Sequence, residues 1–176
     1  MRRRLRTLSA AAVVCAALAV PLVAQYPAPA APQSLAPYVP TPQDVVDRML
    51  SLANVTSADV IYDLGCGDGR VVVTAAKKFA ARGVGVDIDP DRIKESQANA
   101  KAAGVENLVT FKLQDAMTVD VSPATVVTLY LLSSSNAKLR PILTSQLKPG
   151  ARIVSEPGIQ ISQLMPALTR LTARTR

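Results

Sequence analysis

Apolar residues along this chain follow two alternating rhythms. Short, nearly unbroken runs occur at Val60–Leu64, Gly83–Pro90, Val109–Ala116, Ala124–Leu132 and Ala151–Ser155. Runs of this length suit strands buried on both faces of a parallel sheet. Between them lie segments with helical spacing. Arg70–Phe79 follows the first run, a second helix runs from the Asp89-Pro90 start to Ala103, and Asn136–Leu147 carries Leu139, Leu143 and Leu147 on one face. An earlier helix opens at Thr41-Pro42-Gln43-Asp44, with Thr41 expected as N-cap and Pro42 at the first position. Its apolar face is Val45, Val46, Met49, Leu50 and Ala53. Alternating strands and helical crossovers predict an α/β fold with a doubly wound, mainly parallel sheet over residues 41–155.

The first strand joins its helix through Asp63-Leu-Gly-Cys-Gly-Asp-Gly-Arg70, with glycines at Gly65, Gly67 and Gly69. Such a turn lets a ligand lie against bare backbone. A dinucleotide-binding loop has the spacing Gly-x-Gly-x-x-Gly, whereas here the third glycine comes one residue early. Asp63 and Asp68 flank the loop and would repel a pyrophosphate, so the expected ligand carries an ammonium or sulfonium instead. Cys66 is a small filler within the loop, without a redox role.

Two further acids end the next strands. Asp87 follows the second run, about twenty residues after the glycine loop, where a ribose diol is bound in folds of this kind. Asp115 ends the third run, followed by Ala116. Ligands collect at the carboxyl ends of strands in open parallel sheets, which brings Asp63, Asp87 and Asp115 to one crevice. Asp89 is expected as the cap of the next helix.

With these residues in place, the chain resembles the class I S-adenosylmethionine-dependent methyltransferases. The glycine loop matches the first motif of that family, Asp87 its ribose acid, and Gln114-Asp115-Ala116 the segment against the adenine. Tyr38-Val-Pro-Thr-Pro42, Ala124–Leu132 and Leu147–Ser155 extend the likeness to small protein-lysine methyltransferases. That subgroup includes mitochondrial relatives acting on the ATP synthase c-subunit or the adenine nucleotide translocase. The resemblance implies a Rossmann-like fold and S-adenosylmethionine held by Asp63, Gly65, Cys66, Gly67, Asp68, Gly69, Asp87, Asp115 and Ala116. It also implies a protein lysine as acceptor. In that family a segment ahead of the domain covers the cofactor pocket, which would involve Tyr38 and Thr41; alternatively, Tyr38 only packs the linker. Many amine methyltransferases of this fold carry Asp/Asn-Pro-Pro-Tyr after the fourth strand. Here that place holds Leu129-Tyr-Leu-Leu132, which leaves Tyr130 as the candidate catalytic residue. Ser133 and Asn136 are expected to cap the following helix.

The net charge of +7 changes this picture little, because it sits at the ends. Arg2, Arg3, Arg4 and Arg6, with Arg170, Arg174 and Arg176, account for it, while residues 25–156 hold thirteen basic and thirteen acidic side chains. No basic stripe with interleaved aromatics points to nucleic acid. No metal site is assigned, and Cys15 with Cys66 makes no disulfide framework. The basic start and the uncharged Leu8–Ala24 stretch read as a signal peptide (1–24) cut after Ala24, or as an uncleaved membrane anchor. An Arg-rich presequence is the third option. The expected location is therefore membrane-anchored or exported, at odds with a cofactor made inside cells. A Pro/Ala-rich linker (25–40) follows.

After Ser155 the pattern lapses. Residues 156–176 are basic and Thr/Arg-rich, where the methyltransferase fold needs another helix and two strands. The sheet is thus expected to stop after its fifth strand. The subgroup usually places a histidine or another polar residue just after that strand, and the chain has no histidine. Two alternatives stand beside a methyltransferase: a degenerate cofactor-binding remnant, suggested by the tail, and a nicotinamide-dependent oxidoreductase, disfavoured by the glycine spacing.

Overall fold

The computed structural model describes residues 34–155. The targeting segment at 1–24, the linker up to residue 33 and the tail at 156–176 lie outside the described residues. Along the chain come α1 (Gln43–Leu52), β1 (Val60–Leu64), α2 (Arg70–Phe79), β2 (Arg82–Asp87) and α3 (Pro90–Ala102). Then follow β3 (Val109–Leu113), β4 (Val126–Leu129), α4 (Ser133–Gln146) and β5 (Arg152–Ser155). The five strands form one sheet in the order β3-β2-β1-β4-β5, and every pairing is parallel. The order reverses between β1 and β4, which opens a crevice at their carboxyl ends. No described helix is long and apolar enough to cross a membrane.

Side chains alternate across the sheet and feed two cores. Ile61, Val126 and Val154 pack with Val46 and Leu50 of α1, Val72 of α2 and Ala100 of α3. Tyr62, Leu64, Val127, Leu129 and Ile153 face the other way, onto Leu139 and Leu143 of α4. The β3-to-β4 connection has no helix; Ala116, Val119, Val121 and Ala124 bury themselves on this second face.

Several expected boundaries move. β4 ends at Leu129, where its pairing with Ser155 of β5 ends, so Tyr130 and Leu131 leave the sheet at its carboxyl edge. α1 is capped by extended Pro42, not Thr41, and no side chain completes the cap. α4 begins at Ser133, three residues early, because the Leu132 carbonyl accepts from the amides of Ser135 and Asn136. Neither Ser133 nor Asn136 caps it. By contrast, Asp89 caps α3 as expected, accepting from the Asp91 amide at 2.8 Å with Pro90 as first helical residue.

β2 lies close beneath α2, and buried Gly83 makes this possible: a Cβ there would stand 2.7 Å from Val72 Cβ. That atom is fixed to the α2 backbone and cannot yield. Gly83→Ala should therefore lower stability by about 1–3 kcal/mol, measured as a lower urea midpoint at unchanged slope.

Candidate functional site

A cavity of about 350 Å³ lies at the carboxyl ends of β1 to β4. Asp63 lies one residue before the end of β1, Asp87 ends β2, Asp115 follows β3, and Tyr130 with Leu131 follows β4; all five line the cavity. The three acids read from the sequence thus meet at one place. Ala116 joins them, as do Gly65, Cys66, Gly67 and Asp68 of the glycine turn. Gly69 is set back from it.

Each acid is held differently. Asp63 is buried, and its Oδ1 accepts from Thr128 Oγ1 of neighbouring β4 at 2.7 Å. Burial pushes its pKa up to about 7, against the Thr128 hydrogen bond, and the nearby charges of Asp87 and Asp68 add to the rise. The Asp87 carboxylate accepts from the Gly67 amide at 2.9 Å and from the Asp89 amide at 3.0 Å. Asp115 closes a local turn, accepting from the Met117 amide at 2.8 Å.

Asp68 departs from expectation. Burial pushes its carboxyl up, but the hydrogen bonds and charge of Arg70 more than offset this and leave it lowered. Arg70 grips it through Nε (2.9 and 3.1 Å) and a terminal nitrogen (2.6 Å), so Asp68 is a neutralised acid and not a free repelling charge. Its Oδ1 also accepts from the Arg70 amide at 3.2 Å, the first of α2. A carboxylate therefore already occupies the helix N-terminus that a pyrophosphate would need.

The loop glycines do more than admit a ligand. Gly67 adopts φ +52°, and a Cβ there would lie 2.5 Å from the Tyr38 ring. Gly69, at φ +76°, accommodates Phe111 and Ser96, 2.6 and 2.7 Å from where a Cβ would stand. It is a packing residue between α2, α3 and β3. Burial, followed by the charges of Asp63 and Asp87, pushes the Cys66 thiol far up, consistent with an inert filler.

Ser34 to Thr41 forms a strap along the cavity. The Arg92 guanidinium sits 4.5 Å from the centroid of the Tyr38 ring, Arg70 donates to the Thr41 carbonyl at 2.8 Å, and Ser135 Oγ donates to the Leu35 carbonyl. Tyr38 therefore packs onto the glycine turn, not merely along a linker. Sequence reasoning missed Arg70, Arg92, Thr128 and Asn99, whose Nδ2 donates to the Asp68 carbonyl at 2.9 Å. Arg70 was discoverable, two residues beyond Asp68; the others act across the fold.

These groups fit a cationic nucleoside ligand. Four carboxylates line the cavity besides Asp68, namely Asp63, Asp87, Asp89 and Asp115, and the two arginines lining it are already engaged, Arg70 with Asp68 and Arg92 with Glu95 and Tyr38. No metal-holding cluster of His, Cys, Asp and Glu occurs among the described residues.

Known proteins agree with this geometry. The profile of the ANTKMT methyltransferase domain matches residues 63–157. A protein-lysine N-methyltransferase of Saccharolobus islandicus is 50% identical over 120 residues, which cover 68% of this chain and 74% of that protein. A solved structure of an RNA methyltransferase from Salinibacter ruber, in complex with S-adenosyl-L-homocysteine, is 61% identical. Its TM-score is 0.66, over 66% of this chain and 76% of the other. An S-adenosylmethionine-dependent methyltransferase structure from Thiobacillus denitrificans shares the fold at 23% identity and TM-score 0.59, over 65% of this chain and 48% of the other. The chain belongs to the ANTKMT methyltransferase domain family and is an S-adenosylmethionine-dependent methyltransferase.

Proposed function

We propose that the chain transfers a methyl group to a protein lysine amine, and that the crevice acids hold the cofactor. The observation that carries the cofactor assignment is the convergence of Asp63, Asp87 and Asp115 on one cavity beside a helix N-terminus whose first amide Asp68 already takes. In this reading Asp63 faces the cofactor's amino group, Asp87 accepts from the ribose hydroxyls, and Asp115 takes the adenine amino group. The turn from Gly65 to Gly69 supplies bare backbone, and Cys66 and Ala116 supply small apolar walls.

Bound S-adenosylmethionine supplies an electrophilic methyl on a sulfonium. The chain's own task is to align an amine with that methyl and keep water out. The Tyr38 strap covers the cavity, and Tyr130 lines it with a hydroxyl that no described residue engages. We assign Tyr130 the orientation of the incoming amine. The amine must be neutral to attack, and a poorly hydrated approach lowers its pKa.

The two close relatives bear names with different acceptors, protein lysine and RNA. Charge supports the first: the thirteen basic side chains of residues 25–156 are balanced by thirteen acids, and the tyrosines and phenylalanines are few. Tritiated cofactor incubated with a protein extract and, separately, with total RNA decides between them. Protease-sensitive label recovered as methyl-lysine is expected; label confined to RNA would sink the lysine reading.

Two measurements probe the cofactor site. Asp87→Ala removes a charged acceptor and frees the Gly67 amide, so affinity for S-adenosylmethionine should fall by about 10- to 100-fold in calorimetry. Ionised Asp63 attracts the cofactor's cation while its protonated form does not. With a pKa of about 7 in the free protein, affinity should rise with pH. The gain should be on the order of 20-fold from about pH 5.5 to 7.5. A flat profile in Asp63→Asn alone is the expected control; a flat wild-type profile would remove Asp63 from this role.

A further inference from the structure

Thr128 is fully buried in β4, among Val126, Val127 and Leu129. A valine has the same branching and would fill this place without a hydroxyl to bury. The hydroxyl has one strong use: it donates to Asp63 Oδ1 at 2.7 Å, whereas the Tyr62 carbonyl lies at 3.5 Å. Asp63 and Thr128 stand opposite each other in the parallel pairing of β1 with β4, so both side chains leave the same face of the sheet.

The neighbours in this row make the contact matter. On the β2 side Asp63 stands opposite Gly85, where the Phe111 ring and Cys66 Sγ lie 2.7 and 2.9 Å from the place a Cβ would take. On the other side Thr128 stands opposite Val154 of β5. Phe111 and Val154 offer no donor, and the Cys66 thiol is directed to the Gly67 carbonyl. Among the described residues, Thr128 is the one hydrogen-bond partner of the Asp63 carboxylate, which leaves Oδ2 unpaired in a residue that lines the cavity. The charges acting on Asp63 come from Asp87 at the end of β2 and Asp68 in the glycine turn, and both are negative. Arg70 of the same turn is paired with Asp68 instead.

We propose that Thr128 is a positioning residue for the cofactor: by donating to Oδ1 from the neighbouring strand, it fixes the Asp63 carboxylate with Oδ2 toward the crevice, where the cofactor's ammonium binds. This rests on the reading of Asp63 given above. A hydroxyl that donates to a carboxylate also favours its ionised form, and here it works against burial and two like charges. Thr128 thus acts through Asp63 on both the direction and the charge of the acceptor.

Two variants separate this role from packing. Thr128→Val keeps the shape and removes the donor, and Thr128→Ser keeps the donor. The carboxyl carbon resonance of Asp63, assigned by its loss in Asp63→Asn, should titrate in the free protein with a midpoint about one pH unit higher in Thr128→Val than in wild type. In Thr128→Ser the midpoint should return toward the wild-type value. At pH 7, affinity for S-adenosylmethionine in calorimetry should fall about fivefold or more in Thr128→Val and recover most of that loss in Thr128→Ser. In the Asp63→Asn background Thr128→Val should cost no further affinity, because the hydroxyl acts only through the carboxylate. An unmoved Asp63 midpoint, or an equal loss of affinity with and without the Asp63 carboxylate, overturns the proposal while leaving Asp63 its role. Wild-type affinity in Asp63→Asn overturns the reading of Asp63 and this assignment with it.

Discussion

The Gly67 amide donates to the Asp87 carboxylate at 2.9 Å, and the remainder of the site is arranged around this bond. It ties the turn after β1 to the end of β2, strands that run side by side with Leu64 opposite Val86. The amides of Gly65 and Cys66 reinforce the tie by sharing the Val86 carbonyl. The geometry requires a left-handed backbone at Gly67, and the missing side chain there leaves the space that the Tyr38 ring fills. Loop, neighbouring strand and strap thus depend on a single residue that presents nothing but backbone.

Around this tie the protein keeps four carboxylates close together, and each is made tolerable by its own means. Asp68 is paired with Arg70, Asp87 accepts from two backbone amides, and Asp115 accepts from the Met117 amide in its own turn. Asp63 has only Thr128 and is the acid whose proton affinity rises into the neutral range. The result is a crevice with acceptor capacity toward a cation, beside a helix whose first amide is already taken by Asp68.

The strap links the two sides of the crevice. Arg92 and Arg70 hold its Tyr38 and Thr41 end over the glycine turn, while Ser135 of α4 holds its Leu35 end. One segment therefore touches both halves of the crevice, the side of the glycine turn and the side where α4 begins.

Much of this was readable in residue order. The β1 limits, the α2 limits and the Asp89 cap depend on neighbours within one or two turns, and apolar runs with a cap residue encode them locally. The acids at the strand ends were readable for the same reason, since parallel topology sends every strand's carboxyl end to one edge. Other features came from distant partners. Thr128 meets Asp63 across 65 positions, and Ser135 meets Leu35 across 100. The early start of α4 came from the Leu132 carbonyl, after pairing to β5 had ended β4. Whether Asp68 is a bare or a neutralised charge depended on the turn bringing Arg70 back onto it. The sequence by itself determined the order of elements, the glycine turn and the acids available to it, because these are set by local patterning. Only the tertiary structure decided which acids are paired with a cation and what lies on Gly67, because charge pairing and burial belong to the packed chain.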